Sequence, residues 1–169
     1  MNRPYTVRYY RQLVEEIRRA MPLASIGSDI IVGFPGETDA EFEEMRQVVD
    51  TLPLTYLHVF PYSDRPGTVA AGLSSKVDGI AIRERARQMR AIGDRMAREF
   101  RRTVLGRSLR GLTVDDGSAA VTENYLKVRL SEPRPRNEWV QITIDTSEPI
   151  VTGTVQESCA GSAGPGLRT

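Results

Sequence analysis

The stretch Ser28-Asp29-Ile30-Ile31-Val32-Gly33-Phe34-Pro35-Gly36-Glu37-Thr38 limits the choice of fold more than any other part of the chain. An apolar run ends in a Gly-x-x-Gly-Glu-Thr turn and opens directly into a helical pattern, which defines a strand–loop–helix unit. Its loop lies at the carboxyl end of the strand, where α/β proteins hold ligands. Ile30, Ile31 and Val32 in succession predict a strand covered on both faces, as in a parallel sheet layered with helices. Gly33 and Gly36 open backbone conformations closed to other residues, and Pro35 stiffens the turn between them.

The flanking segments extend this unit. Residues 5–21 have helical periodicity, with Tyr10, Leu13, Val14, Ile17 and Met21 as the expected buried stripe and Arg11, Glu15, Arg18 and Arg19 facing out. After the glycine turn, Thr38 and Glu41 form a capping box, and Phe42, Met45, Val49 and Leu52 mark a second buried stripe. Tyr56 to Tyr62 alternates, with Leu57, Val59 and Pro61 on one face and Tyr56, His58, Phe60 and Tyr62 on the other. Helix, strand, helix, strand predicts two parallel strands. The loop Ser63-Asp64-Arg65-Pro66-Gly67-Thr68 then lies beside the first one, at the same end of the sheet. A long helix follows, about Asp78 to Thr103, with a seam of Ile82, Ala86, Met89, Gly93, Met96, Phe100 and Val104.

Beyond Gly106 the chain changes character. Ser108–Val114, Ala119–Leu130, Glu138–Thr146 and Pro149–Gln156 are β-type runs, separated by Asp116-Gly117 and by Pro133-Arg134-Pro135-Arg136-Asn137. Roughly five short strands in about 50 residues fit a small closed barrel of the oligonucleotide-binding size class. Ala160 to Thr169 has nothing to bury and is expected to be disordered. The fold class is therefore α/β followed by a small all-β module.

Composition narrows the partners. Charge is segregated although the net value is only +1: residues 83–110 carry ten arginines against three acids, and residues 29–50 carry seven acids against Arg46. Such segregation suits a phosphate-bearing partner, and equally a helix with a solvated basic face. No apolar run approaches the ~20 residues that span a bilayer, and no signal-peptide pattern is present, so no membrane partner is expected. The single cysteine, Cys159, cannot form an internal disulfide, and a cytoplasmic location is the default.

The segments Asp29–Thr38 and His58-Val59-Phe60-Pro61-Tyr62-Ser63-Asp64-Arg65-Pro66-Gly67-Thr68-Val69-Ala70-Ala71 closely resemble the radical S-adenosylmethionine methylthiotransferases. Met1-Asn2-Arg3-Pro4-Tyr5-Thr6 is similar to that family's segment after its fourth barrel strand, and residues 105–157 resemble its C-terminal TRAM domain, a small RNA-binding barrel. Thr122-Glu123-Asn124-Tyr125-Leu126-Lys127-Val128 and the His58–Ser63 string resemble the branch acting on threonylcarbamoyladenosine in tRNA. Close relatives act on isopentenyladenosine or on a ribosomal protein. The resemblance implies the second half of a (βα) barrel over residues 1–104, a five-stranded OB-like TRAM barrel over 105–157 and a tail over 158–169.

It also implies a chemistry. S-adenosylmethionine and two [4Fe–4S] clusters would transfer a methylthio group to C2 of the adenine at tRNA position 37, in the anticodon stem-loop. The family's Cys-x-x-x-Cys-x-x-Cys and its three-cysteine N-terminal domain are absent here, and each cluster needs thiolates. The chain thus resembles the last third of the enzyme and is expected to be inactive alone. A free-standing RNA-binding module without catalysis is the rival reading.

Residue by residue, the resemblance places Asp29, Ile31 and Gly33 on the cofactor, with the Ile position against the adenine, and sets Phe60, Pro61 and Tyr62 beside it. An ordinary barrel strand whose acid caps a loop, with Tyr62 simply packing, is the plainer reading. Gly33–Glu37 lacks the residues of a nucleotide-triphosphate loop, and His58, the only histidine, is read as structural. Arg65 and Thr68 are candidates for gripping substrate, with Gly67 permitting close approach. In the β-module, Tyr125 and Trp139 offer stacking surfaces, and Lys127, Arg129, Arg134 and Arg136 offer phosphate contacts. Eight acids against those four bases over residues 111–158 leave much of the attraction to the Arg-rich helix.

Overall fold

The computed structural model describes residues 5–156. The segment Met1–Pro4, Cys159 and the Gly/Ser/Ala/Pro run from Ala160 to Thr169 lie outside the described residues. The chain divides into two compact units that meet between Val104 and Leu105.

The first unit is built on a parallel pair of strands. Helix α1 (Val7–Ala20) starts at Thr6, whose hydroxyl accepts the Tyr9 N–H at 3.2 Å. Strand β1 (Gly27–Val32) pairs in parallel with β2 (Tyr56–Pro61), setting Asp29 opposite His58, Ile31 opposite Phe60 and Val32 opposite Pro61. Helix α2 (Asp39–Asp50) carries the full capping box of Thr38 and Glu41, and α3 (Gly79–Thr103) is capped by Asp78, whose Oδ2 accepts Ile80 N–H at 2.7 Å. Val32, Phe42, Val49, Leu52, Leu54, Met89 and Met96 form the buried core, with Ile30, Leu57 and Val59 packed against it from one face of the sheet. Helix α3 lies so close to β2 that a Cβ on Gly93 would stand 3.3 Å from Leu57 Cβ, closer than most side chains tolerate.

Three expectations for this unit need correction. The run Ile30-Ile31-Val32 is covered on one face only, and Ile31 is 37% exposed. The reason is the strand count: a two-stranded sheet has helices on one side and an open face on the other. Leu13 and Met21, assigned to the buried stripe of α1, are 39% and 53% exposed, because a sheet this narrow covers only the strip around Val14. Arg18, expected to face out, folds inward: its Nη1 donates to the carbonyls of Pro22 (2.8 Å) and Ala24 (2.9 Å), and its Nη2 to that of Pro53 (3.2 Å). Burial lowers the pKa of this guanidinium from its ordinary value.

The second unit is a closed barrel of β3 (Ser108–Val114), β4 (Ala119–Thr122), β5 (Lys127–Leu130), β6 (Trp139–Thr146) and β7 (Thr152–Val155), in the order β3-β4-β5-β7-β6 with β6 returning to β3. All pairs are antiparallel except β5–β7. Val128, Ile142 and Ile144 fill its interior, and the buried Thr113 hydroxyl donates to Pro135 O at 2.6 Å and accepts Glu138 N–H at 2.8 Å. The run Ala119–Leu130 holds two strands, which brings the four β-type runs to the five strands expected. Thr122 closes the intervening turn: its N–H donates to Leu126 O at 2.9 Å and its hydroxyl accepts Leu126 N–H at 3.0 Å. Tyr125 takes φ +63° inside that turn, a conformation no strand allows.

Candidate functional site

The carboxyl ends of β1 and β2 and the loops that leave them enclose a cleft of about 590 Å³. This is within the range of small-molecule sites. Asp29, Ile31, Phe60, Pro61, Tyr62, Arg65 and Thr68 line it, joined by Phe34, Ser63 and Ala70. The parallel register explains the convergence. Asp29 and Ile31 share strand parity on the open face of β1, and Phe60 stands beside Ile31 on β2. Tyr62 continues the ladder through its N–H to Val32 O at 2.9 Å, and its ring meets Phe34 edge-on at 5.4 Å. The cleft is thus apolar at its floor, with the Asp29 carboxylate and the Arg65 guanidinium at its borders. Arg65 has no ion pair or side-chain hydrogen bond among the described residues.

Two glycines stand apart from the lining. Gly33 has φ +76°, and a Cβ there would fall 2.4 Å from Ile82 Cγ1, so its close approach is to α3. Its N–H donates to Glu37 Oε1 at 3.0 Å. Gly67 has φ +82° with open space around it, and it turns the loop between Arg65 and Thr68. The Thr68 hydroxyl is already engaged: it donates to Arg65 O at 2.9 Å and accepts Ala71 N–H at 3.3 Å, capping a short 3-10 helix, Val69–Gly72.

Two cations that hold the loops went unseen in the sequence. Lys76 Nζ reaches Asp64 Oδ1 at 2.5 Å and the carbonyls of Ala70 and Ala71, each at 3.1 Å, and it lies 5.5 Å from the centre of the Tyr62 ring. Asp64 also accepts the Tyr62 hydroxyl at 2.9 Å. The hydrogen bond from Lys76, then that from Tyr62, holds the Asp64 carboxyl below the usual carboxylate range. Desolvation, reinforced by Asp64, raises the Tyr62 phenol. The available signal was compositional, since Lys76 is one of two lysines beside twenty-one arginines. Arg85 is the second. It is nearly buried on α3, with Nη1 2.5 Å from Glu37 Oε1, Nη2 2.6 Å from Asp39 Oδ1 and its guanidinium 5.3 Å from the centre of the Phe42 ring. Burial acts to lower its pKa, but the hydrogen bonds to Asp39 and Glu37 outweigh it and raise the value. Residue 85 falls on the 82, 89, 92, 96 seam of the helix, which is the signal its sequence carried.

On the barrel, Trp139 and Arg134 share a groove of about 330 Å³ with Glu138, Gln141 and Gln156. The Arg110 guanidinium stacks 4.3 Å from the centre of the Trp139 ring. Tyr125, Lys127 and Arg136 lie outside that groove. Tyr125 is 83% exposed, while Lys127 is paired with Asp115 at 2.7 Å. Among the described residues no cluster of His, Cys, Asp and Glu could hold a metal ion, and no helix is long and apolar enough to cross a membrane.

No family model matches the chain. The threonylcarbamoyladenosine tRNA methylthiotransferase of Aquifex aeolicus is 34% identical over 144 residues, which cover 85% of this chain and 35% of that protein. The corresponding protein of Bacillus subtilis is 39% identical over 100 residues, 59% of this chain and 22% of that one. The tRNA-2-methylthio-N(6)-dimethylallyladenosine synthase of Sphingopyxis alaskensis is 30% identical over 165 residues, 98% of this chain and 35% of the synthase. The chain therefore spans at most about a third of the length of these relatives. Identity of 30% to 39% to these relatives, over as much as 98% of this chain, makes it a member of the radical S-adenosylmethionine methylthiotransferase family.

Proposed function

We propose that the chain is the part of a tRNA methylthiotransferase that lines the S-adenosylmethionine site and grips the RNA, in an enzyme that adds a methylthio group to C2 of N6-threonylcarbamoyladenosine at tRNA position 37. The observation that carries this reading is the convergence of Asp29, Ile31, Phe60, Pro61, Tyr62 and Arg65 on one cleft at the carboxyl ends of two parallel strands. The donor set fits an adenosyl group. Ile31 and Phe60 offer apolar surface to a flat base, and Asp29 and Arg65 offer opposite charges to the polar ends of a zwitterion. Bound there, one S-adenosylmethionine would supply the 5′-deoxyadenosyl radical of the family's reaction, and another would supply the methyl group. The chain's own task is to bind and orient it, with Phe34 and Tyr62 closing one side and Lys76 fixing the loop.

The iron–sulfur clusters do not fit these residues. One cysteine in the whole chain cannot furnish a set of thiolates. This reading gives cluster binding to the remaining two thirds of the relatives' length and expects no turnover from the chain alone. The barrel, resembling a TRAM domain, is assigned to the anticodon stem-loop through Tyr125, Trp139, Arg134 and Arg136. Mass spectrometry of tRNA nucleosides and of ribosomal proteins, from cells with and without the gene, tests the assignment. Loss of the methylthio adduct on threonylcarbamoyladenosine is expected. Loss on isopentenyladenosine or on a ribosomal protein instead assigns another branch, and unchanged adducts everywhere overturn the enzyme reading. A free-standing RNA-binding module is the second reading, favoured by the exposed rings of Tyr125 and Trp139 on a closed barrel. It predicts RNA binding with no affinity for S-adenosylmethionine.

A further inference from the structure

The outer face of α3 carries charge that the fold does not use. At 3.6 residues per turn, positions 83, 87, 90, 94, 98 and 101 share one face, opposite the buried seam. Arg83, Arg87, Arg90 and Arg98 are exposed on that face, and Asp94 is its one acid. Of the other acids of the helix, Glu84 binds Arg87 of this same face at 2.6 Å, and Glu99 binds Arg95, which also pairs with Asp50. Among the described residues Arg83, Arg90 and Arg98 have no ion pair. Three free guanidinium groups thus stand along about 22 Å of helix, at a rise of about 1.5 Å per residue. Leaving them side by side costs self-repulsion, which a bound polyanion removes.

We infer that this arginine row is a track for an RNA sugar–phosphate backbone, a second RNA-binding surface distinct from the barrel. The inference rests on the tRNA reading above. Three observations favour phosphates over an acidic protein. The row is long and straight, suiting a linear chain of charges. Every cation in it is arginine, the side chain whose planar fork matches phosphate oxygens and never loses its proton, and Asp94 is the one acid among them. No exposed aromatic side chain sits among the arginines to anchor a protein partner, and such anchors dominate protein interfaces.

The test is fluorescence anisotropy of a labelled anticodon stem-loop RNA with the full chain, between 50 and 200 mM salt. The variant R83Q/R90Q/R98Q is compared with R8Q/R19Q, which removes exposed charge from α1, and with R83K/R90K/R98K. The glutamine variant is expected to bind about tenfold or more weakly and to flatten the salt slope by about 2 to 3, one phosphate contact per arginine. The lysine variant keeps most of the affinity, and all three melt like the parent because these side chains hold nothing in the fold. Equal losses in R83Q/R90Q/R98Q and R8Q/R19Q, or none in either, overturn the track while leaving the tRNA reading intact. Competition by polyglutamate as effective as by RNA assigns the face to an acidic protein and also overturns it. Absence of RNA binding by the parent chain overturns the tRNA reading and the track together.

Discussion

Arg85 belongs to the buried side of α3 and ties three elements to one another by a single fork. Its partner Glu37 also receives the Gly33 N–H, so the pair fixes the glycine turn that carries Phe34 to the cleft. Removing one member of a buried pair strands the other, at a cost of about 3 kcal/mol. Arg85→Met should lower stability by that amount in denaturant unfolding, and the added change Glu37→Gln should restore part of it. At Gly33 the obstacle is steric and conformational together. Gly33→Ala must hold φ near +76° with its methyl group against Ile82, and about 2 kcal/mol or more of destabilisation is expected. Asp64 is one of several carboxyls that contribute to the pH dependence, beside Glu43 and Glu84, whose arginine partners Arg46 and Arg87 hold each at about 2. The Asp64 pKa is depressed in the folded chain, so the stability it contributes is complete above the unfolded value of about 4 and is lost as pH falls through the lower folded value. Carboxyl NMR titration should show Asp64 moving back toward the ordinary range in Lys76→Met, and amide exchange in residues 62–76 should quicken.

At the scale of elements, α2 and α3 depend on caps at their N-termini. Thr38→Ala removes the side-chain half of a capping box, the hydroxyl that accepts Glu41 N–H, and Asp78→Ala removes the cap of a 25-residue helix, and each should cost about 1 kcal/mol in thermal or denaturant unfolding. The Thr38 cap was legible because its partner Glu41 lies three residues away; the Asp78 cap was seen only in the structure. The strand–turn–helix unit and the alternation of β2 were legible for the same local reason as the Thr38 cap. The rest of what stayed hidden is what distance in sequence conceals. Ile31 reads as buried because its neighbours do, yet burial depends on how many strands adjoin β1, and among the described residues only β2 does. The ties of Arg85 to Glu37 and of Lys76 to Ala70 span loops whose path no periodicity records. Tyr125 interrupts an unbroken β-type run because the Thr122 and Asn124 side chains satisfy a turn there. The cleft itself was largely readable, since strand parity placed Asp29 with Ile31 and the parallel pairing brought Phe60 beside them.

Across the whole molecule, the two units differ in how completely they satisfy their strands. The barrel closes on itself and leaves no free edge, whereas β1 and β2 each keep one unpaired edge and share an open face bearing Ile31, Tyr56 and Phe60. Size-exclusion chromatography of the separated pieces should therefore find residues 105–156 monomeric and residues 5–104 self-associating. That open face is also where the cofactor reading stands or falls. Titration of S-adenosylhomocysteine into the protein, followed through the ring resonances of Phe60 and Tyr62, examines it most directly. Saturable shifts of both rings are predicted, abolished by Ile31→Asp and unaffected by Trp139→Ala on the barrel. Rings that do not respond at saturating ligand, or a response that survives Ile31→Asp, would contradict an adenosyl site between the two strands.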